Sequence, residues 1–554
     1  MSVSVKSAGQ PETKHDLKRI YFIGGKKPLQ DAATTAALGF KAYNLAKLAA
    51  LGLEVPPAFV IGTGYCADPQ AVVPQLWRPA LAELEAFTGL KLGDVRRPLM
   101  LSVRSGAPVS MPGMMETLLN IGLTDATIPG LIRLTGHPRL AWDAYRRLIA
   151  GYGEVVAGID LHHFEADLAA VRQDEDERSL DFTSLRQIAQ LHLETFHRQT
   201  GAPFPQNPET QLSEAINAVF RSWGSEKAMA YRNLHGLSHE MGTAVTVQRM
   251  VFGNAGGLSG AGVGFTRNPI TGDDKPWVDF LFNAQGEDVV SGRRTARGHD
   301  ELAAVAPRVW EELVDAAALL EHRFGDMQDF EFTVQGGVLF LLQTRNGKRT
   351  PMATARIALD LMAEGVIDAE TARERTRGLD QHALTVRSIG SDDGVALSPI
   401  ASAASASSGV VCGEIALAEA RVRERKAAGI SVILVRSDAE TRDIAALDVA
   451  DGLLTQHGAR TSHAAVVARQ LGKVCLVGCE TMTIDAARNE VNIGGAIFPE
   501  GAVITLDGNN GSIYSGAARI VENVQTELLA RLDMLHGRSA EPAERSATPF
   551  AEVG

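Results

Sequence analysis

In the stretch QHGARTSHAAVVARQLGKVCLVGC, Gln456 to Cys479, an imidazole stands where an apolar helix begins. Thr461 and Ser462 precede His463, and Gly472 follows a short apolar run. Ser and Thr are favoured N-caps and Gly a natural stop, so the pattern predicts a helix with His463 in its first turn. At the positive end of a helix dipole an imidazole is discouraged from protonating and stays nucleophilic. A phosphoryl group carried there would be stabilised by the same dipole and by the free N–H groups. The plainer reading is a structural histidine, the common fate of a lone imidazole at a helix start. No second His and no acidic residue stands three or four positions on, which argues against a metal site. His457 lies too close to the preceding strand to be given a role.

Two further stretches could handle phosphate and metal. In LSVRSGAPVSMPGMMETLLNIGL, 101–123, a strand ending at Arg104 runs into small residues. Such a loop lets backbone N–H groups approach an anion, and Arg offers a bidentate fork. Alternatively, Met111, Met114 and Met115 are core filler and Arg104 a surface ion pair. In DMQDFEFTVQGGVLFLLQTR a hairpin is evident. A three-residue loop, Gly336 to Val338, pairs Gln335 with Leu339, Glu331 with Gln343 and Asp329 with Arg345. Those polar side chains then share one face, and Phe330, Phe332, Phe340 and Leu342 take the other. A two-residue Gly336-Gly337 turn would send Glu331 and Gln343 to opposite faces. Side by side, a carboxylate and an amide oxygen suit a Mg²⁺ that keeps waters and bridges nucleotide phosphates; otherwise they are a solvated polar face.

Elements must position these groups, and 554 residues provide for three or four domains. Hydrophobic residues are 45% and charged residues 22%, an ordinary globular balance. A formal net charge of −12 argues against nucleic acid as a partner. The four cysteines form no CxxC pair, so a reduced, cytoplasmic protein is expected. No run is long and apolar enough for a membrane helix, and residues 1–19 lack a signal-peptide core. From 20 to 350 strands surround a mostly helical portion, about 126–240. Two short helices around Gly365 make a linker, 351–394. A smaller α/β unit, 395–516, carries strand candidates SVILVR, DGLLTQ, KVCLVG and AVITLD. The tail, 517–554, is expected to hold one helix, VENVQTELLARLDML, and a disordered end.

Together these motifs resemble the pyruvate, phosphate dikinase family. GARTSHAAVVARQLGKVCLVGC is similar to its phosphohistidine motif and SVRSGAPVSMPGMMETLLNIGL to its nucleotide-loop motif. GTAVTVQRMVFGN, GVGFTRNPITG, NAQGEDVVSG and FLLQTRNGKRT are similar to later nucleotide-domain motifs, and the resemblance covers roughly 20–516. It implies an α/β multidomain fold: an ATP-grasp-like nucleotide-binding domain with a helical insertion, then a swivelling β/β/α phosphohistidine domain. It implies that ATP and orthophosphate give AMP, pyrophosphate and a phosphohistidine at His463, with Mg²⁺ as cofactor. By the same resemblance Lys41, in GFKAYNL, and Arg104 hold ATP phosphates. Glu331 and Gln343 bind Mg²⁺, Arg345, Asp329 and Asp279 line the site, and Arg460, Thr461 and Ser462 neighbour the phosphohistidine.

The sequence departs from the family pattern in several places. About 40 residues follow Gly516, against the roughly 250 of the (β/α)₈ barrel that handles pyruvate in the family. The polar, Pro-containing end reads as a natural terminus. A separate barrel chain, or another phosphoryl acceptor, is therefore expected; a non-catalytic nucleotide-binding subunit is the alternative. GFKAYNL replaces a more Gly-rich loop, and SPIASAASASSG lacks the Pro-Gly pair common at the start of the family's carrier domain. His457, Ala459 and Arg460 stand where the family usually shows Arg, Gly and Met. Arg460 either reaches the phosphate that the missing arginine would have served or recognises a docking partner. Thr461 matches a position phosphorylated by a regulatory kinase in plant members; the simpler reading is a cap and phosphate neighbour.

Overall fold

The computed structural model describes residues 17–25, 30–109, 111, 114–173, 177, 179–290, 298–390, 398–438, 443–458, 460 and 462–538. The expected disordered ends therefore fall largely outside the described residues, as do Thr461 and Ser110, Pro112 and Gly113 of the SMPG stretch.

Strands buried along most of their length build two antiparallel sheets in the first two thirds of the chain. The first has the order β1 (Ile20–Ile23), β2 (Ala58–Ile61), β5 (Ala244–Arg249), β3 (Leu101–Gly106), β4 (Thr117–Ile121). Val103, Leu118, Val245 and Val247 pack one of its faces onto the helix Pro74–Thr88 and onto Pro138–Val155 and Pro208–Ser222, the latter two within the expected helical portion. The second sheet has the order β7 (Trp277–Phe282), β6 (Gly260–Phe265), β8 (Gln328–Gln335), β9 (Val338–Asn346). Phe280, Phe330, Phe332, Leu339 and Leu341 bury one of its faces against the helix Pro307–Phe324 and the helix Thr35–Ala50. After β7 the chain turns into a short helix, Gly286–Val290.

The β8–β9 hairpin corrects the sequence reading. Its turn is the two-residue Gly336-Gly337, with φ of 59° and 82°, so Gln335 pairs with Val338 and not with Leu339. Two consecutive positive φ values are the conformation that glycine supplies without strain. The register then shifts by one residue between Glu331 and Phe332, at Leu342. This bulge restores Glu331 opposite Gln343 and Asp329 opposite Arg345. Leu339 and Leu341, rather than Phe340 and Leu342, therefore join Phe330 and Phe332 in the core.

The remaining strands form an eight-stranded mixed sheet ordered β11 (Ala401–Ser402), β21 (Ser512–Ser515), β20 (Val503–Asp507), β13 (Val410–Ala416), β14 (Val432–Arg436), β15 (Gly452–Thr455), β16 (Val474–Val477), β12 (Ala404–Ser407). Strands β13 to β16 run parallel. They are near-continuous apolar runs because both faces are covered: Leu453, Cys475 and Ala465 lie on the helical side, Leu454, Leu476 and Ile493 on the other. The four strands expected from the sequence are all present. The three-stranded meander β17 (Met482–Asp485), β18 (Glu490–Ile493), β19 (Ala496–Pro499) was not expected. The tail helix starts later than predicted, at Thr526, because Ile520–Val524 is a strand, β22, paired with β10 (Thr385–Ile389). Long-range pairing overrides the local helical pattern there. Leu528 and Leu532 of the tail helix pack on Ala355 and Leu359 of the linker helix Pro351–Ala363.

One glycine sets the position of Lys41. Gly39 has φ 75° and ψ 160° inside the helix Thr35–Ala50, a conformation open essentially to glycine alone. A Cβ there would lie 1.9 Å from the carbonyl oxygen of Gly106, at the end of β3. Phe40 N–H donates to Ala107 O at 2.8 Å, locking the kink onto the loop after Arg104. Gly39→Ala is expected to lower the unfolding free energy by roughly 1–3 kcal/mol, read as a reduced denaturant midpoint.

Candidate functional site

A cleft of about 480 Å³ lies between the two antiparallel sheets. Ser102 and Arg104 from β3, Thr117 and Leu119 from β4, and Gln248 and Arg249 from β5 line one side; Glu331, Thr333 and Leu342 line the other. Strand pairing explains the second wall. Asp279 on β7 faces Val263 on β6, Val263 faces Glu331 on β8, and Glu331 faces Gln343 on β9. Directly paired residues point to one face, so Asp279, Glu331 and Gln343 form a single polar row across the sheet, opposite the phenylalanine face.

The side chains of Arg104, Glu331 and Gln343 make no hydrogen bond or ion pair among the described residues, so their capacity is open to a ligand. Glu331 and Gln343 are hard oxygen donors of the kind that hold Mg²⁺ alongside waters and phosphate. Among the described residues no group of three or more His, Cys, Asp or Glu could hold a metal. A two-residue site completed by substrate oxygens fits this pair better than a protein cage does. Arg345 is committed elsewhere: its Nε donates to Asp329 Oδ2 at 2.8 Å. Burial pulls the Arg345 pKa down, but Asp329 and then Glu331 more than offset it, so the guanidinium stays charged.

Lys41 keeps part of its side chain in solvent, close enough to Arg104 and Glu331 for their charges to act on it, and the surrounding protein lowers its pKa to about 8. Burial is the main cause; Arg104 and Arg345 add to it, and Glu331 opposes it. An anion between Lys41 and Arg104 would relieve this crowding of positive charge. Met111, by contrast, is buried with Ala107, Trp223 and Ala228, and Met114 and Met115 pack beside them, so these methionines fill a core.

His463 opens the helix His463–Gln470, and Ser462 is its N-cap, accepting from Ala465 N–H at 3.4 Å. The loop before it lies against the second sheet. Arg460 donates from Nε to Asp279 Oδ1 at 3.0 Å and from Nη2 to the same oxygen at 2.5 Å. It also donates to the carbonyl of Val278 at 3.2 Å, and its guanidinium sits 4.2 Å from the Trp277 ring centre. From the other end of the helix, Arg469 donates to the backbone carbonyls of Ala406 and Arg460 at 2.9 and 3.1 Å. Burial lowers the Arg469 pKa to about 10, with Asp329 and Asp279 among the charges opposing the fall.

Of the residues singled out from sequence, Asp279, Glu331 and Gln343 share one row, with Lys41, Arg104 and Arg345 near enough for their charges to interact and Arg460 on Asp279. Reading by motif missed Trp277, Arg469 and Arg249. Arg249 lines the cleft, makes no ion pair among the described residues, and has its pKa lowered by burial. The available signal was a lone arginine in the otherwise uncharged stretch TAVTVQRMVF.

The Lys41 titration has a defined sign. Below about pH 8 the ammonium is charged and attracts phosphate; above it the charge is lost. The affinity of this region for inorganic tripolyphosphate, measured by calorimetry, is expected to weaken as pH rises through about 8. Lys41→Met should bind more weakly and show no change across that window.

The chain matches two known domain families. The profile described as "Pyruvate phosphate dikinase, AMP/ATP-binding domain" covers residues 69–299 and 299–365. "PEP-utilising enzyme, mobile domain" covers 430–511. Over 500 residues the chain is 41% identical to the pyruvate, phosphate dikinase of Clostridium symbiosum, covering 88% of this chain and 57% of that protein. Pyruvate, phosphate dikinase 2 of Zea mays is 40% identical over 513 residues, covering 90% and 58%. The Rhizobium meliloti (strain 1021) enzyme is 40% identical over 523 residues, also 90% and 58%. The chain thus spans somewhat more than half the length of these curated relatives. No helix among the described residues is long and apolar enough to cross a membrane. With the nucleotide-binding profile spread over more than half its length and the mobile-domain profile following in order, the chain belongs to the pyruvate, phosphate dikinase family.

Proposed function

We propose that the chain is a dikinase-type phosphotransferase that phosphorylates its own His463. In this reading residues 20–350 are an ATP-grasp-type nucleotide domain and 395–516 a swivelling carrier. Lys41 and Arg104 hold the ATP phosphates, and Arg249 adds positive charge to the cleft wall. Glu331 and Gln343 hold Mg²⁺, which when bound neutralises phosphate charge. Phosphoryl transfer is chiefly positioning and charge neutralisation, and these residues supply both.

The reaction balances in two steps. A ring nitrogen of His463 forms a bond to the β-phosphorus of ATP as the bond from that phosphorus to the α–β bridging oxygen breaks, and AMP leaves with the electron pair. An oxygen of orthophosphate then bonds to the outer phosphorus, whose bridging bond breaks, giving pyrophosphate and a phosphohistidine. That phosphoryl group goes on to pyruvate or another acceptor. The matched relatives hold their remaining length in the same chain, so the comparisons lend no support to a separate acceptor subunit.

The observation that carries the reading is the contact between Arg460 and Asp279. It brings the loop that leads into His463 to the same polar row as Glu331 and Gln343. The test is incubation with Mg²⁺ and ATP labelled at the β-phosphorus, with and without orthophosphate. Acid-labile, alkali-stable label is expected on the wild-type chain and none on His463→Ala. Label persisting in that variant would show the wrong carrier; no label on the wild type would favour a nucleotide-binding subunit without turnover.

A further inference from the structure

Arg460 is one of the positions where the sequence departs from the family pattern, and its side chain is fully engaged across the boundary between the two halves. Asp279 is 0% exposed, and its Oδ1 takes both donors of Arg460 while its Oδ2 has no partner. We infer that Arg460 is a docking latch that holds the carrier in the loading position, with Asp279 and the Trp277 ring as its receptor. Given the reading of His463 as the carrier, Arg460 is a positioning residue for the first half-reaction.

The latch is electrostatic. A buried carboxylate is tolerated only when it is paired, and removing one partner strands the other. With Arg460 in place, the docked arrangement provides Asp279 with two charge-assisted bonds and the guanidinium with an aromatic face to stack on. Without it, docking would cover Asp279 with no hydrogen-bonded partner for its carboxylate, leaving only the more distant charge of Arg469. Arg469 stiffens the latch by holding the Arg460 carbonyl at 3.1 Å, and its own guanidinium lies 5.3 Å from the Trp277 ring centre. One aromatic side chain of the nucleotide half thus seats two arginines of the carrier half. A methionine at 460 could fill the space but could not neutralise Asp279. The latch therefore makes docking sensitive to salt, which a purely apolar contact would not be.

The test uses the full chain and two readouts, one of which does not require catalysis. Small-angle scattering is compared for wild type, Arg460→Met, Arg460→Lys and the double variant Arg460→Met/Asp279→Asn, with unfolding curves to verify the fold. Arg460→Met should be more extended and wild type should extend as salt rises. Lys should recover part of the compaction, and the double variant should be more compact than Arg460→Met because a neutral amide is cheaper to cover than a carboxylate. In single-turnover labelling with saturating ATP, Arg460→Met should load His463 at least about tenfold more slowly, the range expected on truncating a buried charge pair. Its ATP affinity should stay within about twofold of wild type, since the latch is not a nucleotide ligand. Scattering and loading rates equal to wild type in Arg460→Met would overturn the latch, and so would a parallel loss of ATP affinity. If the wild type takes no label, the carrier reading fails and the scattering series alone decides the latch.

Discussion

A guanidinium on one half of the chain and a carboxylate on the other meet at 2.5 Å over an indole ring, and the account of the site depends on that meeting. Asp279 belongs to the middle of a strand, where β-sheet pairing fixes its direction to within a residue. Arg460 belongs to a loop whose backbone is held by Arg469 and whose end is fixed by the Ser462 cap. Two rigid supports thus bring a short loop against a sheet, and the histidine that follows inherits the position. A looser loop would lose the geometry at little cost in stability, which is why the supporting arginine and the cap matter as much as the contact itself.

The cleft is organised by charge that the fold does not neutralise by itself. Arg104 and Arg249 place positive charge on one side, with Lys41 close enough to feel the charge of Arg104, while Glu331 offers a carboxylate on the other, paired with Gln343 in its row. Arg345 and Asp329 neutralise each other and so frame the cleft without competing for a ligand. In the proposed reading, a polyphosphate carrying a divalent cation would satisfy both walls at once, its charge met by the arginines and its metal held by the carboxylate and amide. Gly39 contributes through geometry, since only its absent side chain lets the Lys41 helix close on the end of β3.

Much of this was legible in the sequence where the signal was local. The Ser462 cap and Gly472 stop bound the helix starting at His463 because caps act over three or four residues. The pairing of Glu331 with Gln343 was reached through a wrong turn length: the actual Gly336-Gly337 turn shifts the register, and a bulge at Leu342 shifts it back. A bulge has no residue signature that separates it from a longer loop, so the two errors cancelled. Trp277 and Arg469 were not legible because their roles arise from contact between segments almost two hundred residues apart. The strand Ile520–Val524 was absorbed into the following helix for the same reason: its partner, Thr385–Ile389, is distant in sequence. Whether Arg460 served a phosphate or a docking partner was open in the sequence; in this structure its guanidinium is on Asp279.

The central claim is that a histidine on the carrier half is loaded by the nucleotide half of the same chain. Isotope exchange tests it without any downstream acceptor. With Mg²⁺, unlabelled ATP, orthophosphate and pyrophosphate but no pyruvate, labelled AMP should be incorporated into ATP by the wild-type chain, and His463→Asn should abolish the exchange. Exchange that continues in His463→Asn, or none in a wild-type chain shown to bind ATP, would contradict the account.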